Sequence, residues 1–218
     1  MKKIYFKLLC ALLGALILIG LSACTPREGQ DKNDDASDIF DAQAQPFDYS
    51  TINIDDYVKS LVYKGHTVKL PSESASREDA VWQAIIKTAE ISAFPDGAVK
   101  YYFEQTKKYY LYLVDGDVEQ YELLLSSRNI TEENMMDEAE DMVKDDLVYH
   151  YILKKENIVL TDTEKLDLFD KYVQKYVEEY GYKGDYVFAN MSGLIYESML
   201  YDKTMEYLLL SNEFEIAE

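Results

Sequence analysis

The sequence predicts an all-α domain of several helices, and two adjacent segments carry that prediction, residues 131–160 and 161–181. In the second segment Thr161 stands three residues before Glu164, which is the pattern of a capping box, and Gly181 provides a C-terminal stop. Between these ends the apolar residues recur at helical spacing, so one face of the helix is expected to be buried. The members of that face are Leu166, Phe169, Val173, Tyr176, Val177 and Tyr180.

The segment before it predicts a long helix that begins at Thr131. Glu132 and Glu133 lie in its first turn, where the helix dipole favours negative charge. Its end, residues 147–153, reads LVYHYIL and is apolar nearly all round, so this end is expected to be buried. Together the two segments predict a pair of capped helices joined by a short connector.

The rest of the domain, residues 76–218, also shows helical patterns. The first helix is predicted over 76–91, with Ser76 as its N-cap and Trp82, the only tryptophan, as a core anchor. Further helices are predicted over residues 98–114, 117–125 and 193–212. No repeat and no second globular domain is indicated.

Residues 53–75 alternate apolar and polar side chains around Lys64 and Gly65, which predicts an extended strap or a short hairpin. His66 stands there without a cysteine or second histidine nearby, so it is expected to be a surface residue. At the other end of the domain, residues 213–218 are expected to fray.

Residues 1–23 have the pattern of a secretion signal, with Lys2, Lys3 and Lys7 before an apolar run. The run ends in LSAC, so Cys24 is predicted to be lipidated, with a diacylglycerol and palmitate. An ordinary cleaved signal and a single membrane span are the alternatives. The lipoprotein interpretation places the protein on the extracytoplasmic face of a cell membrane.

Residues 24–52 are polar and acidic and are expected to form a flexible tether. Without the lysines of residues 1–23, the chain holds 19 basic and 41 acidic residues, a net charge of −22. That charge argues against nucleic acid as a partner and against a chain that lies flat on anionic lipid.

No constellation of residues predicts catalysis, a metal site or a cofactor. The chain has two cysteines, and the predicted processing removes Cys10 and lipidates Cys24, which leaves no free thiol. The two histidines, His66 and His150, lie on unrelated elements. The sequence contains no nucleophile elbow, phosphate loop or H-E-x-x-H motif, so an enzyme is the less favoured class.

Several patterns resemble the C-terminal chaperone domain of trigger factor, a SurA-like peptide-binding domain. They are the buried run DLVYHYILKKENI, the threonine-capped helix that ends in YG, the segment DAVWQAIIKTAEISAFPDGAVKYYFEQ and the closing helix LIYESMLYDKTMEYLLLSNEFEI. The likeness covers roughly residues 57–218. It implies a helical body with two arms around a cradle that has apolar patches.

The resemblance has two departures from the family pattern. The chain runs directly from Pro71 into the helix at Ser76, so no segment remains for an FKBP-type isomerase domain. The G-F-R-x-G motif, by which trigger factor docks on the ribosome, is also missing. Neither prolyl isomerase activity nor ribosome binding is therefore expected.

The leading hypothesis is a membrane-anchored, extracytoplasmic holdase that binds unfolded or secreted polypeptides. The chain contains 20 Tyr and 7 Met, side chains suited to promiscuous contacts. The predicted client-binding residues are Tyr102, Tyr109, Tyr112 and Tyr121, with Met135 and Phe169 as partners. The alternatives are that these residues form the core of a bundle, that the chain is a peptidyl-prolyl isomerase relative, or that it is a dedicated adaptor lipoprotein of an envelope complex.

Overall fold

The computed structural model describes residues 46–217, apart from 182, 185 and 188–190. Six long helices account for most of this part of the chain, which confirms the predicted all-α class. They are α1 (Arg77–Thr88), α2 (Asp96–Tyr112), α3 (Val118–Ser127), α4 (Glu132–Glu156), α5 (Asp162–Tyr180) and α6 (Ser192–Leu210). Residues 1–45, which include the predicted signal and Cys24, lie outside the described residues.

Four short strands accompany the helices: β1 (Val58–Ser60), β2 (Thr67–Leu70), β3 (Glu90–Ile91) and β4 (Glu213–Ile216). β1 pairs antiparallel with β3, and β2 pairs parallel with β4. The hairpin alternative for residues 53–75 is therefore wrong, because β1 and β2 take their partners from distant parts of the chain. The expected fraying of residues 213–218 is also wrong for 213–216, whose backbone is held by β2.

The described chain forms two compact units. The first unit contains residues 46–62 and 85–151, and the second contains residues 63–84 and 152–217. α1 and α4 each contribute residues to both units.

The helix ends follow the predicted caps. The Asp79 amide donates to the Ser76 hydroxyl at 3.3 Å, and the Gln120 amide donates to Asp117 at 3.0 Å. Both halves of the Thr161–Glu164 capping box are present, and the backbone at Gly181 is left-handed, with φ of 70°. These local signals fix where the helices begin and end.

α1 ends earlier than the sequence predicts. The Thr88 hydroxyl donates to the Val62 carbonyl oxygen at 2.9 Å and to the Ile85 carbonyl oxygen at 2.8 Å. The Val62 amide donates back to the same hydroxyl at 3.1 Å. Glu90 and Ile91, which the pattern assigned to the helix, form strand β3 instead.

The core of the first unit joins β1, α2 and α4. Its buried residues are Ile54, Val58, Ala98, Val143 and Leu147. Phe47, Tyr49 and Ile52 pack against this cluster, so residues 46–52 are part of the folded unit and not of a free tether. Three apolar side chains within seven residues explain this difference from the prediction, because they have area to bury.

The core of the second unit lies between α5 and α6. Its buried residues are Tyr172, Val187, Met191, Ile195 and Met199. Four members of the predicted face of α5 pack against this core, namely Phe169, Val173, Tyr176 and Val177. The prediction is wrong for Leu166, which is 79% exposed, and it omitted Tyr172, which is buried. The Tyr172 hydroxyl donates to Asp202 at 2.7 Å, which satisfies its polar end on α6.

Candidate functional site

The predicted client-binding residues on α2 to α4 differ in exposure, and all five belong to the first unit. Tyr112 is exposed, and Tyr102 and Tyr109 are half-buried. Tyr121 and Met135 are buried, with 6% and 1% of their surface exposed. The expectation that the Tyr121 ring lines a groove or faces water is therefore wrong.

The surroundings of Tyr121 show why it is buried. Burial raises the pKa of its hydroxyl, and the negative charges of Glu132 and Glu104 raise it further. Glu132 lies one turn before Met135 on α4, and Lys107 on α2 approaches Glu132 at 3.9 Å. Tyr121 on α3 thus lies near both α2 and the beginning of α4. Its ring is part of the buried core.

Tyr102 is held by a specific hydrogen bond. Its hydroxyl donates to the Asp146 carboxylate on α4 at 2.7 Å. Its ring packs against the core of the first unit and makes an edge contact with Tyr101, with centroids 5.3 Å apart. Tyr102 therefore contributes to the packing of α2 on α4, and only part of its ring is accessible.

The same region carries four exposed apolar side chains, of which sequence reasoning named Tyr112 and missed the other three. Tyr112, Leu113, Leu123 and Met136 are 45%, 44%, 60% and 37% exposed. They lie on the end of α2, on α3 and on the first turns of α4, and we call them the 112–136 apolar set. An exposed apolar side chain has no periodic signature of its own, because periodicity reports the buried face. These side chains are accessible to a partner, and they lie on three consecutive helices of one unit.

Phe169, the sixth predicted residue, belongs to the second unit. Its ring lies 5.4 Å from the ring of Tyr196 on α6, and Lys165 stands over Tyr196 at 5.9 Å from the ring centroid. Tyr196 is partly exposed, as is Leu166 one turn before Phe169. The second unit therefore has its own exposed apolar residues, and the assignment of Phe169 to client binding stays a prediction.

His150 lies in an aromatic environment in the first unit. Its ring stacks on Tyr49 with centroids 4.6 Å apart and makes an edge contact with Tyr149. Burial lowers the pKa of His150 to about 4, so the imidazole is neutral at pH 7. Burial and the nearby Asp146 carboxylate raise the pKa of Tyr49. This cluster anchors residues 46–52 and offers no accessible base.

Glu156, at the end of α4, accepts from three side chains in the second unit. The Tyr63 hydroxyl donates at 2.6 Å, the Lys64 ammonium lies at 2.7 Å, and the Tyr207 hydroxyl donates to the other carboxylate oxygen. Lys64 contributes most to holding the pKa of Glu156 at about 2, followed by Tyr207 and Tyr63. Tyr63 and Lys64 belong to the strap, and Tyr207 belongs to α6. Because all three bind the Glu156 carboxylate, the cluster connects the strap to α4 and α6.

In the described part of the chain, no group of three or more His, Cys, Asp or Glu side chains is placed to hold a metal ion. Among the same residues, no helix is long and apolar enough to cross a membrane.

The described residues define a helical domain that carries several large exposed apolar side chains. The comparison with protein families agrees, because the family described as "Bacterial trigger factor protein (TF) C-terminus" matches residues 66–209. The chain belongs to the trigger factor C-terminal domain family, as the sequence resemblance predicted. A trigger factor C-terminal domain is a chaperone-type domain. No curated protein and no solved structure shows a significant match to the chain.

Proposed function

We propose that the chain is a membrane-anchored, extracytoplasmic holdase, which binds unfolded or secreted polypeptides through exposed apolar residues. The observation that carries the proposal is the 112–136 apolar set. It is a 25-residue stretch of a chaperone-type domain in which four large apolar side chains are exposed to water. We take these four residues as the principal contact, and we retain the half-buried Tyr102 and Tyr109 as contributors at its margin.

The proposed binding is weak and tolerant of sequence. Each exposed side chain contributes about 1 kcal/mol to a contact, so the four members of the set give a dissociation constant of about 1 mM. Similar contributions from Tyr102 and Tyr109 lower it to tens of micromolar, on the order of 6 kcal/mol in all. Tyrosine and methionine suit such contacts, because the first tolerates water at its hydroxyl and the second adapts to many shapes. The net charge of −19 favours basic, apolar clients over acidic ones.

The test replaces the four members of the 112–136 apolar set with serine. Because these side chains are exposed, the variant is expected to keep its helical circular dichroism and to lose most suppression of aggregation. The matched control keeps the apolar area, with Tyr112→Phe, Leu113→Ile, Leu123→Ile and Met136→Leu. Equal suppression by the serine variant and its parent would place the client site elsewhere.

Using several unrelated unfolded proteins in that assay separates two functions. A general holdase suppresses the aggregation of all of them to a similar degree. A dedicated adaptor ignores them, and that result would replace the holdase proposal with the adaptor alternative. A separate assay with a short X–Pro peptide checks the expectation that the chain does not accelerate prolyl isomerisation.

The proposed anchor is the lipid on Cys24, which the LSAC pattern supports. We expect Cys24→Ala to shift the protein from the detergent phase to the aqueous phase, because diacylglycerol attachment requires the thiol. Cys10→Ala is the matched control, since it changes the other cysteine and leaves Cys24 in place. A Cys24→Ala variant that stays in the detergent phase would exclude lipidation as the anchor.

A further inference from the structure

The small sheet of the second unit has an edge that the proposed function does not use. In the described part of the chain, the sheet has only two strands, β2 and β4. One face of β2 is buried through Val68 and Leu70, whereas Thr67 and Lys69 on its other face are exposed. β4 lies at the edge, with Glu213, Glu215 and Ile216 exposed.

The backbone of β4 has groups that point away from β2. The Glu213 amide donates to the His66 carbonyl oxygen and the Ala217 amide to the Leu70 carbonyl oxygen, both at 2.8 Å. Amides of a parallel strand alternate in direction, so those of Phe214 and Ile216 point to the open side. An edge strand of this kind is a template on which another extended chain can pair.

The side chains of β4 separate onto two faces. Glu213 and Glu215 lie on the exposed face, where Glu215 is in register with Lys69. Phe214 and Ile216 lie on the face toward the domain, yet Ile216 is 52% exposed. A depression of about 670 Å³ lies against Lys69, Glu215, Ile216 and Ala217. A third strand beside β4 would cover Ile216 with its own apolar side chains.

We propose that the open edge of β4 binds an extended polypeptide segment in which basic and apolar residues alternate. The backbone supplies hydrogen bonds from Phe214 and Ile216, which any extended chain can meet. The side chains of β4 determine which segments bind best. Basic residues of the bound segment lie beside Glu213 and Glu215, and its apolar residues cover Ile216. This strand-addition site is separate from the 112–136 apolar set, which belongs to the other unit.

The negative charge of Glu213 and Glu215 favours a basic segment over two other occupants, a second copy of β4 and residues 24–45 of the same chain. A second copy of β4 would bring glutamates of both chains next to one another, and like charges on adjacent strands are destabilising. Residues 24–45 of the same chain contain two basic and six acidic residues, so they too are repelled by Glu213 and Glu215. A basic segment is the occupant that the exposed face attracts.

The test titrates the full-length chain, in detergent, with the capped peptide KVKFKVK. We expect binding, and we expect slower hydrogen exchange at the amides of Phe214 and Ile216 in the presence of the peptide. The peptide EVEFEVE, with the same apolar residues, should bind at least about tenfold more weakly. A KVKFKVK peptide that is N-methylated on alternate amides should lose binding, because it cannot pair with the edge.

Two variants locate the site. Ile216→Pro removes an outward-pointing amide and leaves the bonds to β2, so it should weaken peptide binding by about tenfold or more. Glu213→Lys/Glu215→Lys should reverse the preference between the two peptides. Glu178→Lys/Glu179→Lys makes the same change of net charge on the exposed surface of α5 and should leave the preference unchanged.

Several results would overturn the proposal. Equal binding of KVKFKVK by Ile216→Pro and by the parent chain would overturn it. So would a finding that Glu213→Lys/Glu215→Lys and Glu178→Lys/Glu179→Lys change the peptide preference to the same extent. If Ile216→Pro fails to fold, the two charge-reversal variants still test the proposal, as does hydrogen exchange at the Phe214 and Ile216 amides of the parent chain. Concentration-dependent dimerisation that protects the Phe214 and Ile216 amides without peptide would assign the edge to a second copy instead.

Discussion

Asn212 offers the sharpest test of how the strap is held. It is buried, and its amide makes three hydrogen bonds within the second unit. The His66 amide donates to its oxygen at 2.8 Å, and its own nitrogen donates to the Tyr63 carbonyl oxygen at 3.1 Å and to the Leu208 carbonyl oxygen at 2.7 Å. One side chain therefore joins the turn before β2 to the end of α6.

Asn212→Ala removes all three bonds. A hydrogen bond contributes about 0.5–1.5 kcal/mol to stability, and the turn at residues 63–66 is near enough to the surface for water to reach some of the groups left behind. We therefore expect the free energy of unfolding to fall by about 2–3 kcal/mol. Asn53→Ala is the control, since Asn53 is exposed and its side-chain nitrogen donates to a near neighbour in the sequence, the Asp56 carboxylate, at 2.9 Å.

The measurement is urea unfolding followed by circular dichroism, with hydrogen exchange at the amides of Glu213 and Ala217 as the local readout. Both amides should exchange faster in Asn212→Ala, because the strap that carries their acceptors is released at one end. If Asn212→Ala lowers the free energy of unfolding no more than Asn53→Ala does, the three hydrogen bonds do not hold the strap as argued.

Two further predictions concern α5 and Glu156. Thr161→Ala should lower the free energy of unfolding by about 1 kcal/mol in urea titrations, because it removes the capping box, whereas Thr163→Ala, inside the same helix, should not lower it. The pKa of Glu156 is about 2 in the folded chain and 4.5 ordinarily, so its carboxylate stabilises the fold above pH 4.5 and this stabilisation is lost as the pH falls toward 2. Unfolding midpoints of Glu156→Gln should accordingly depend less on pH in that window, and an unchanged dependence would show that Glu156 is not the group that titrates.

The helices could be predicted from the sequence because their signals are local. The cap at Thr161, the stop at Gly181 and the caps at Ser76 and Asp117 each depend on residues within one turn. The β2–β4 pair could not be predicted this way, because its partners are far apart in the chain. The His66–Asn212 hydrogen bond, for example, joins residues 146 positions apart.

The site was harder to predict than the fold, because the sequence around a tyrosine does not show whether its ring is buried or exposed. Tyr121 is buried because α2 and the first turns of α4 pack around it, and no pattern within α3 reports those neighbours. Tyr172 is buried in the core between α5 and α6, and its hydroxyl donates a hydrogen bond to Asp202 on α6. The predicted face omitted Tyr172 and included Leu166, which is exposed. The family resemblance identified the chaperone-type domain, which the family match confirms, but not which side chains face water.

A holdase has to expose apolar side chains without binding to itself, and the acids of this chain bear on that requirement. Leu123 follows Glu122, Met136 precedes Asp137, and Leu113 lies two residues before Asp115. Because like charges repel at short range, two copies that bring these residues together also bring their acids together, whereas a basic client meets attraction at the same place. The acids beside the 112–136 apolar set therefore favour the proposed contact with basic clients over self-association.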